Sequence, residues 1–124
     1  FGLKESVAQL RAATGLDTLE TIRREGAPIP LHPLPRWDDG REVVLAGDAA
    51  GVVAPASGEG IFYAMTGGRY AADAVEDFLA TGKAKALAKA RRRFLWDHGQ
   101  VFFVLDVMQK FWYKNDKRRE RFVT

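Results

Sequence analysis

A chain of 124 residues has room for one modest domain. Its 47% hydrophobic and 28% charged residues are the balance of a globular protein and exclude a disordered one. The absence of cysteine rules out disulfides, thiolate metal sites and cysteine nucleophiles, and a net charge of +3 favours anionic partners without naming nucleic acid or membrane.

His32 and His98 lie far apart in sequence with no metal-ligand spacing around them, so no metal site is expected. No leader pattern stands out, and no apolar run approaches the roughly 20 residues of a spanning helix. Because the first residue is Phe1 rather than Met, the chain is expected to be a piece of a longer polypeptide or a processed product.

In chain order, Lys4 to Ala13 predicts a short helix with Val7 and Leu10 on one face and Gly15 as its stop. Leu16 to Arg24 is a second helical candidate, capped by Asp17 and closed by Gly26. From Ala27 to Leu34 the prolines at 28, 30 and 33 remove alternate backbone donors, which predicts an extended edge or a crossing segment. Asp38-Asp39-Gly40 is a turn signal, and Val43-Val44-Leu45 is expected to be a short buried strand.

A glycine-rich loop follows. A helix is then expected from about Gly60 to Ala80, with an apolar stripe of Ile61, Met65, Ala72, Val75 and Leu79. Gly67-Gly68 inside it costs roughly 1 kcal/mol per glycine relative to alanine, which suggests that another backbone passes close by. Beyond Thr81-Gly82, Lys83 to Asp97 predicts a basic amphipathic helix with Leu87, Ala90, Phe94 and Leu95 inward. Gln100 to Tyr113 is apolar nearly all round, and Lys114 to Arg121 is strongly basic.

The run VVLAGDAAGVVAPASGEGIFYAM, beginning at Val43, concentrates the chemistry. It places the Asp48 carboxylate at a strand tip and the unpaired N–H groups of Ile61 and Phe62 at a helix start, facing one small volume. One acceptor and several fixed donors suit a polyhydroxylated, anionic cofactor. Sugar or ribityl hydroxyls can donate to Asp48. Gly60 lets a ligand press against the backbone, and the helix dipole favours partial negative charge such as a reduced flavin develops. The bland reading is that Asp48 only caps a turn. No Gly-Lys-Ser/Thr follows, which excludes a P-loop, and Gly58-Glu59-Gly60 lacks the third glycine of a dinucleotide fingerprint. The loop reads as the flavin end of a dinucleotide site, not the adenine end.

GDAAGVVAPASGEGIFYAM resembles the second FAD motif of the geranylgeranyl reductases, within the wider group of hydroxylase-like flavoproteins. The likeness continues through GAPIPLHPLPRWDDGREVVLAGDAAG and FWYKNDKRRERFV, and it points to enzymes of chlorophyll and bacteriochlorophyll synthesis. It implies an α/β fold, seen here as the C-terminal part of a Rossmann-type flavoprotein, mainly helical after one buried strand. Residues 1–42 would end the substrate region and cross over, 43–80 would form the second FAD motif, and 81–124 a C-terminal helical region.

By the same likeness Gly47 and Asp48 contact the ribityl chain, Pro55, Gly58 and Gly60 shape the flavin pocket, and the amides of Ile61 and Phe62 reach the ring. Many related aromatic hydroxylases carry histidine and asparagine where this chain has Gly51 and Phe62, which argues for a reductase. The resemblance implies stepwise reduction of a geranylgeranyl group to phytyl, on the diphosphate or the pigment ester, with FAD as cofactor and NADPH as electron donor. It also implies a cytoplasmic location, with peripheral contact to the photosynthetic membrane as one option. Neither ADP-binding fingerprint nor full substrate sheet is present, so this piece is not expected to hold FAD tightly alone.

No proton donor is legible. Glu59 is a weak candidate, against the alternative that it caps the helix start. The stretch Val101–Trp112 reads either as core or as a prenyl- or lipid-facing surface. The cluster Lys114, Lys117, Arg118, Arg119 and Arg121 reads either as a solvated face or as a contact for anionic lipid or diphosphate. Two rival readings are another flavoprotein of this fold, a monooxygenase or epoxidase, and a non-enzymatic basic helical module for membranes or nucleic acid. Segregation of aromatic from basic residues speaks against nucleic acid.

Overall fold

The computed structural model describes residues 2–112 and 114. Three helices carry the architecture: α1 (Leu3–Ala13), α2 (Ile61–Thr81) and α3 (Lys89–Trp112). Helix α1 ends where the Thr14 hydroxyl donates to the Leu10 carbonyl at 2.7 Å and Gly15 turns the chain at φ +70°. It buries none of its residues. The second expected helix shrinks to a single 3-10 turn, Leu16–Thr18, and Ile22 is 99% exposed. A short helix is marginal without a face to bury, and this one finds none.

Helices α2 and α3 form the frame of the molecule. Gly82, left-handed at φ +65°, stops α2, and one 3-10 turn at Ala84–Ala86 leads into α3. Contacts between the helices run in opposite chain order. Tyr63 meets Phe102, the Tyr70 hydroxyl donates to Asp97 Oδ2 at 2.5 Å, Arg93 lies 3.5 Å from Asp73, and Lys89 lies 2.6 Å from Asp77. The pair is therefore antiparallel. Leu87, Ala90, Phe94 and Leu95 face inward as expected. The helix expected over Lys83 to Asp97 begins only at Lys89, however, and continues through the apolar stretch to Trp112, its inward row carrying on to Phe102 and Leu105.

The expected stripe of α2 is on the wrong side. Ile61, Met65 and Leu79 are 80%, 73% and 75% exposed, while Tyr63, Gly67, Tyr70, Ala71 and Ala74 are buried. Large rings decide this. Trp37 and Phe94, fully buried with centroids 5.2 Å apart, occupy the space beside the middle of α2, where Gly67 faces them, and Tyr63 packs on Phe94 one turn earlier. A Cβ on Gly67 would lie 3.9 Å from Phe94 and 4.0 Å from Trp37, so rings rather than a second backbone approach there. Gly68 faces open space.

The described residues are mainly helical, as expected, but Val43–Leu45 is not a strand, and among the described residues there is none, so the α/β character expected of this piece is missing from it. Asp39 Oδ1 accepts N–H bonds from Arg41, Glu42 and Val43 at 2.9–3.0 Å and curls the chain into a tight loop. Those donors, Val43 foremost, hold the Asp39 pKa below its ordinary value. A single antiparallel bridge, Asp38 to Val44, and one bond from Leu45 N–H to the Trp37 carbonyl at 2.7 Å close it. A ladder needs more neighbours than this loop supplies, and Val43 stays half exposed.

Candidate functional site

Gly47–Ala50 folds as a short 3-10 turn against α2, not as the end of a strand. Gly47 stands at φ +58°, and a Cβ on it would come within 3.5 Å of Ala64 on α2. Close packing of this turn on the first turns of α2 brings Asp48 to the helix mouth. An added Cβ at Gly60 would lie 3.9 Å from Asp48 Oδ1 and 3.4 Å from Val53 Cγ2, filling the recess between carboxylate and helix start. No side chain caps α2, and the first-turn amides of Ile61 and Phe62 have no acceptor within the helix. The Asp48 side chain is exposed, and its carboxylate receives no hydrogen bond from a described residue, while its carbonyl accepts from the Gly51 N–H at 3.0 Å. The structure thus brings Gly47, Asp48, Gly60, Ile61 and Phe62 together around one acceptor and a set of open donors.

Pro55 and Gly58 sit apart from that recess and act through the loop. Pro55 is completely buried, on the side of the loop that faces α3. Gly58 is left-handed at φ +69°, in open space, where its N–H returns to the Ala54 carbonyl at 3.0 Å. The Ala54 N–H donates in turn to the Glu59 carbonyl at 2.8 Å. These bonds close a compact turn that delivers Gly60 to the helix mouth.

The Glu59 side chain is exposed and makes no cap bond, so the capping alternative has no support. It does act on Tyr63. Burial first, and the Glu59 charge second, push the Tyr63 phenol above its ordinary pKa. Tyr63 anchors an aromatic cluster with Phe94, His98 and Phe102, and the Phe62 ring meets His98 edge-on at 5.8 Å. A cavity of about 380 Å³ opens beside it, lined by Phe62, Met65, Thr66, Arg69, Tyr70 and His98. Among the described residues no group of side chains could hold a metal ion.

Sequence reasoning missed what lies behind the loop. The proline-rich segment crosses it as expected, but its crossing point is Gly51, left-handed at φ +79°, where a Cβ would fall 2.1 Å from the His32 carbonyl oxygen. The signal was a glycine just after GDAA combined with a rigid segment needing somewhere to pass. Of the basic tail, Lys114 is exposed, while Lys117, Arg118, Arg119 and Arg121 lie outside the described residues. Val101–Trp112 is mainly not core: Phe102 is buried, whereas Val101, Phe103, Val104 and Val107 are exposed.

Comparison with known proteins adds three observations. The sequence pattern of the family described as lycopene cyclase protein matches residues 2–124. A geranylgeranyl diphosphate reductase of Rhodobacter capsulatus is 60% identical over 98% of the chain and 31% of its own length. The chloroplastic geranylgeranyl diphosphate reductase of Oryza sativa subsp. japonica is 39% identical over 96% of the chain and 26% of its length, and the geranylgeranyl diphosphate reductase of Synechocystis sp. is 39% identical over 91% of the chain and 28% of its length. The chain thus spans about a third or less of the relatives it matches. No solved structure matches it.

Proposed function

The chain belongs to the lycopene cyclase protein family, and from its likeness to the geranylgeranyl diphosphate reductases we propose that it is a C-terminal part of a FAD-dependent geranylgeranyl reductase, reducing geranylgeranyl to phytyl with NADPH as reductant. The observation that carries the reading is the juxtaposition of the unpartnered Asp48 carboxylate with an uncapped helix mouth across the Gly60 recess. Identity of 60% to a reductase of that name supports the substrate. The rival monooxygenase and basic-module readings draw no such support from the relatives.

The residues present fit the ribityl-and-ring half of FAD. Asp48 would accept from ribityl hydroxyls. The Ile61 and Phe62 amides would face the ring edge that carries negative charge when reduced, and Gly60 leaves the space that a side chain would close. When bound, FAD supplies the hydride chemistry of alkene reduction. The chain's own part is to orient and to exclude water. Buried Tyr63 and Phe102 and the half-buried His98 ring make a dry floor beneath the first turn of α2.

In the complete protein, Asp48→Ala is expected to weaken FAD binding about tenfold to a hundredfold, the worth of hydrogen bonds to one charged group. Flavin fluorescence on titration measures it. A wild-type protein that purifies colourless and takes up no FAD ends the reading, and oxygen consumed in proportion to substrate would move it to the monooxygenase class.

Peripheral contact with the photosynthetic membrane belongs to the same proposal. No helix among the described residues is long and apolar enough to cross a membrane. Trp96, Phe103 and Val107 are exposed on α3, and Lys110 and Lys114 close its end. Co-sedimentation of the complete protein with anionic vesicles should fall as salt rises; binding indifferent to salt contradicts the charge-based contact.

A further inference from the structure

The back of the cofactor loop is held by a strap. Pro30–Leu34 crosses it without a regular element, bending at His32, with φ fixed at Pro30 and Pro33. The Leu34 N–H donates to the Ala50 carbonyl at 2.9 Å, and the Val53 N–H donates to the Pro30 carbonyl at 3.4 Å, so both ends of the segment are tied to the loop. Between these bonds the His32 carbonyl passes over Gly51, with no room for a Cβ.

The strap is tied to α3 as well. Arg91 Nε donates to the Leu34 carbonyl at 2.8 Å, and the His32 imidazole stands 3.6 Å from Asp106 Oδ1. That oxygen is buried without a hydrogen-bond partner, while the other carboxylate oxygen takes Lys110 at 2.6 Å. A groove of about 230 Å³ between strap, loop and α3 is walled by His32, Pro33, Pro55, Arg91, Phe102 and Asp106.

The bonds at Ala50 and Val53 and the His32 contact at Gly51 all fall on residues that end or follow the Gly47–Ala50 turn, in which Ala50 is buried and Asp48 exposed. The Gly47–Ala50 turn is thus fixed between two supports, α2 in front at Gly47 and the strap behind at Ala50 and Gly51. The position of Asp48 relative to the α2 mouth depends on both. We propose that the strap sets the geometry of the flavin-binding recess, with Arg91 and Gly51 as positioning residues that touch no part of the cofactor. This inference rests on the FAD reading given above and extends it to residues outside the motif.

Ligand-binding loops depend on such outer support, because a recess loosened by about an ångström loses most of what its first contacts provide. Arg91 gives one charged hydrogen bond to a main-chain carbonyl. Its loss is expected to loosen the loop by about the worth of that bond, close to tenfold in affinity.

The test uses the complete enzyme. Arg91→Gln should raise the dissociation constant for FAD about tenfold and change the visible circular dichroism of the bound flavin, and Arg91→Lys should recover most of both. Gly51→Ala forces a Cβ into the strap and should do more, by a hundredfold or by loss of folding. The arginine pair keeps the inference falsifiable if that variant does not fold. An Arg91→Gln enzyme that is less heat-stable yet binds FAD with wild-type affinity and an unchanged flavin spectrum overturns the positioning role. A colourless wild type overturns the FAD reading beneath it, and the two failures are told apart by the wild type alone.

Discussion

Glu59 and Tyr63 are coupled through space, and the coupling has a sign. The buried phenol ionises above its ordinary value of 10.0, because burial and then the Glu59 charge both disfavour the phenolate. Below pH 10 the folded and unfolded forms are both neutral and the contribution to stability is complete. As pH rises past that value the unfolded chain loses its proton first, so stability drains away until the folded phenol ionises too. Glu59→Gln should therefore lower the Tyr63 pKa without returning it to 10.0, since burial remains the larger cause. Ultraviolet titration of tyrosinate in the complete protein, with the other tyrosines replaced, measures this, and an unmoved titration would place Glu59 away from the ring. The same substitution should leave flavin content intact, and slowed alkene reduction would mark Glu59 as the proton donor. Asp39 has the opposite sign. Three backbone donors depress its pKa, so what it gives the turn is present above pH 3.8 and is lost as pH falls through the depressed value.

Helix α2 shows how much an element owes to its neighbours. Its existence and ends were legible: open donors at Gly60-Ile61 and a Thr81-Gly82 stop predict Gly60–Ala80, and the helix runs Ile61–Thr81. Its buried face was not legible. Aliphatic residues recur on one side, so periodicity alone assigns that side to the core, yet the partners in reach are the rings of Trp37 and Phe94, which pack on glycine and alanine. The strand at Val43–Leu45 failed for a related reason, since β-branched residues predict a strand only where a ladder waits for them. The nearness of Asp48 to Gly60 and the α2 start was legible, because these residues lie close in the chain; Arg91 was invisible, because it reaches Leu34 from a distant helix. Substitutions at the ring contacts test this account of α2. Gly67→Ala should be tolerated, its Cβ making ordinary contacts at 3.9 and 4.0 Å, whereas Gly67→Leu should cost about 1–3 kcal/mol through overpacking. Phe94→Ala should cost about 3–5 kcal/mol, read as a fall in melting midpoint, because the ring it removes touches Trp37, Tyr63, His98 and Phe102 at once.

Stability across the whole chain is unevenly placed. The buried set runs from Trp37 to Phe102 and draws on the strap-and-loop region, α2 and α3. Nothing between residues 2 and 29 is buried, and α1 keeps Leu3, Val7 and Leu10 largely exposed. The segment from Glu20 to Ile29 has no regular element, and Ile22 is almost wholly open. Local opening is least costly where few apolar contacts are lost, so protease attack should begin in that segment, at Arg23 and Arg24, and not at the more numerous basic residues of α3. Arg91, Arg92 and Arg93 are all reachable to some degree, yet each is held in a helix whose inner face carries Phe94, and cutting there requires the core to open first. Limited trypsin digestion read by mass spectrometry should give a first product beginning at Glu25 or Arg24. That product should melt at the temperature of the uncut chain, because the removed residues contribute no buried contact. A first cut within α3, or a melting transition that disappears with cleavage at Arg24, would mean that α1 and the following segment share the core after all.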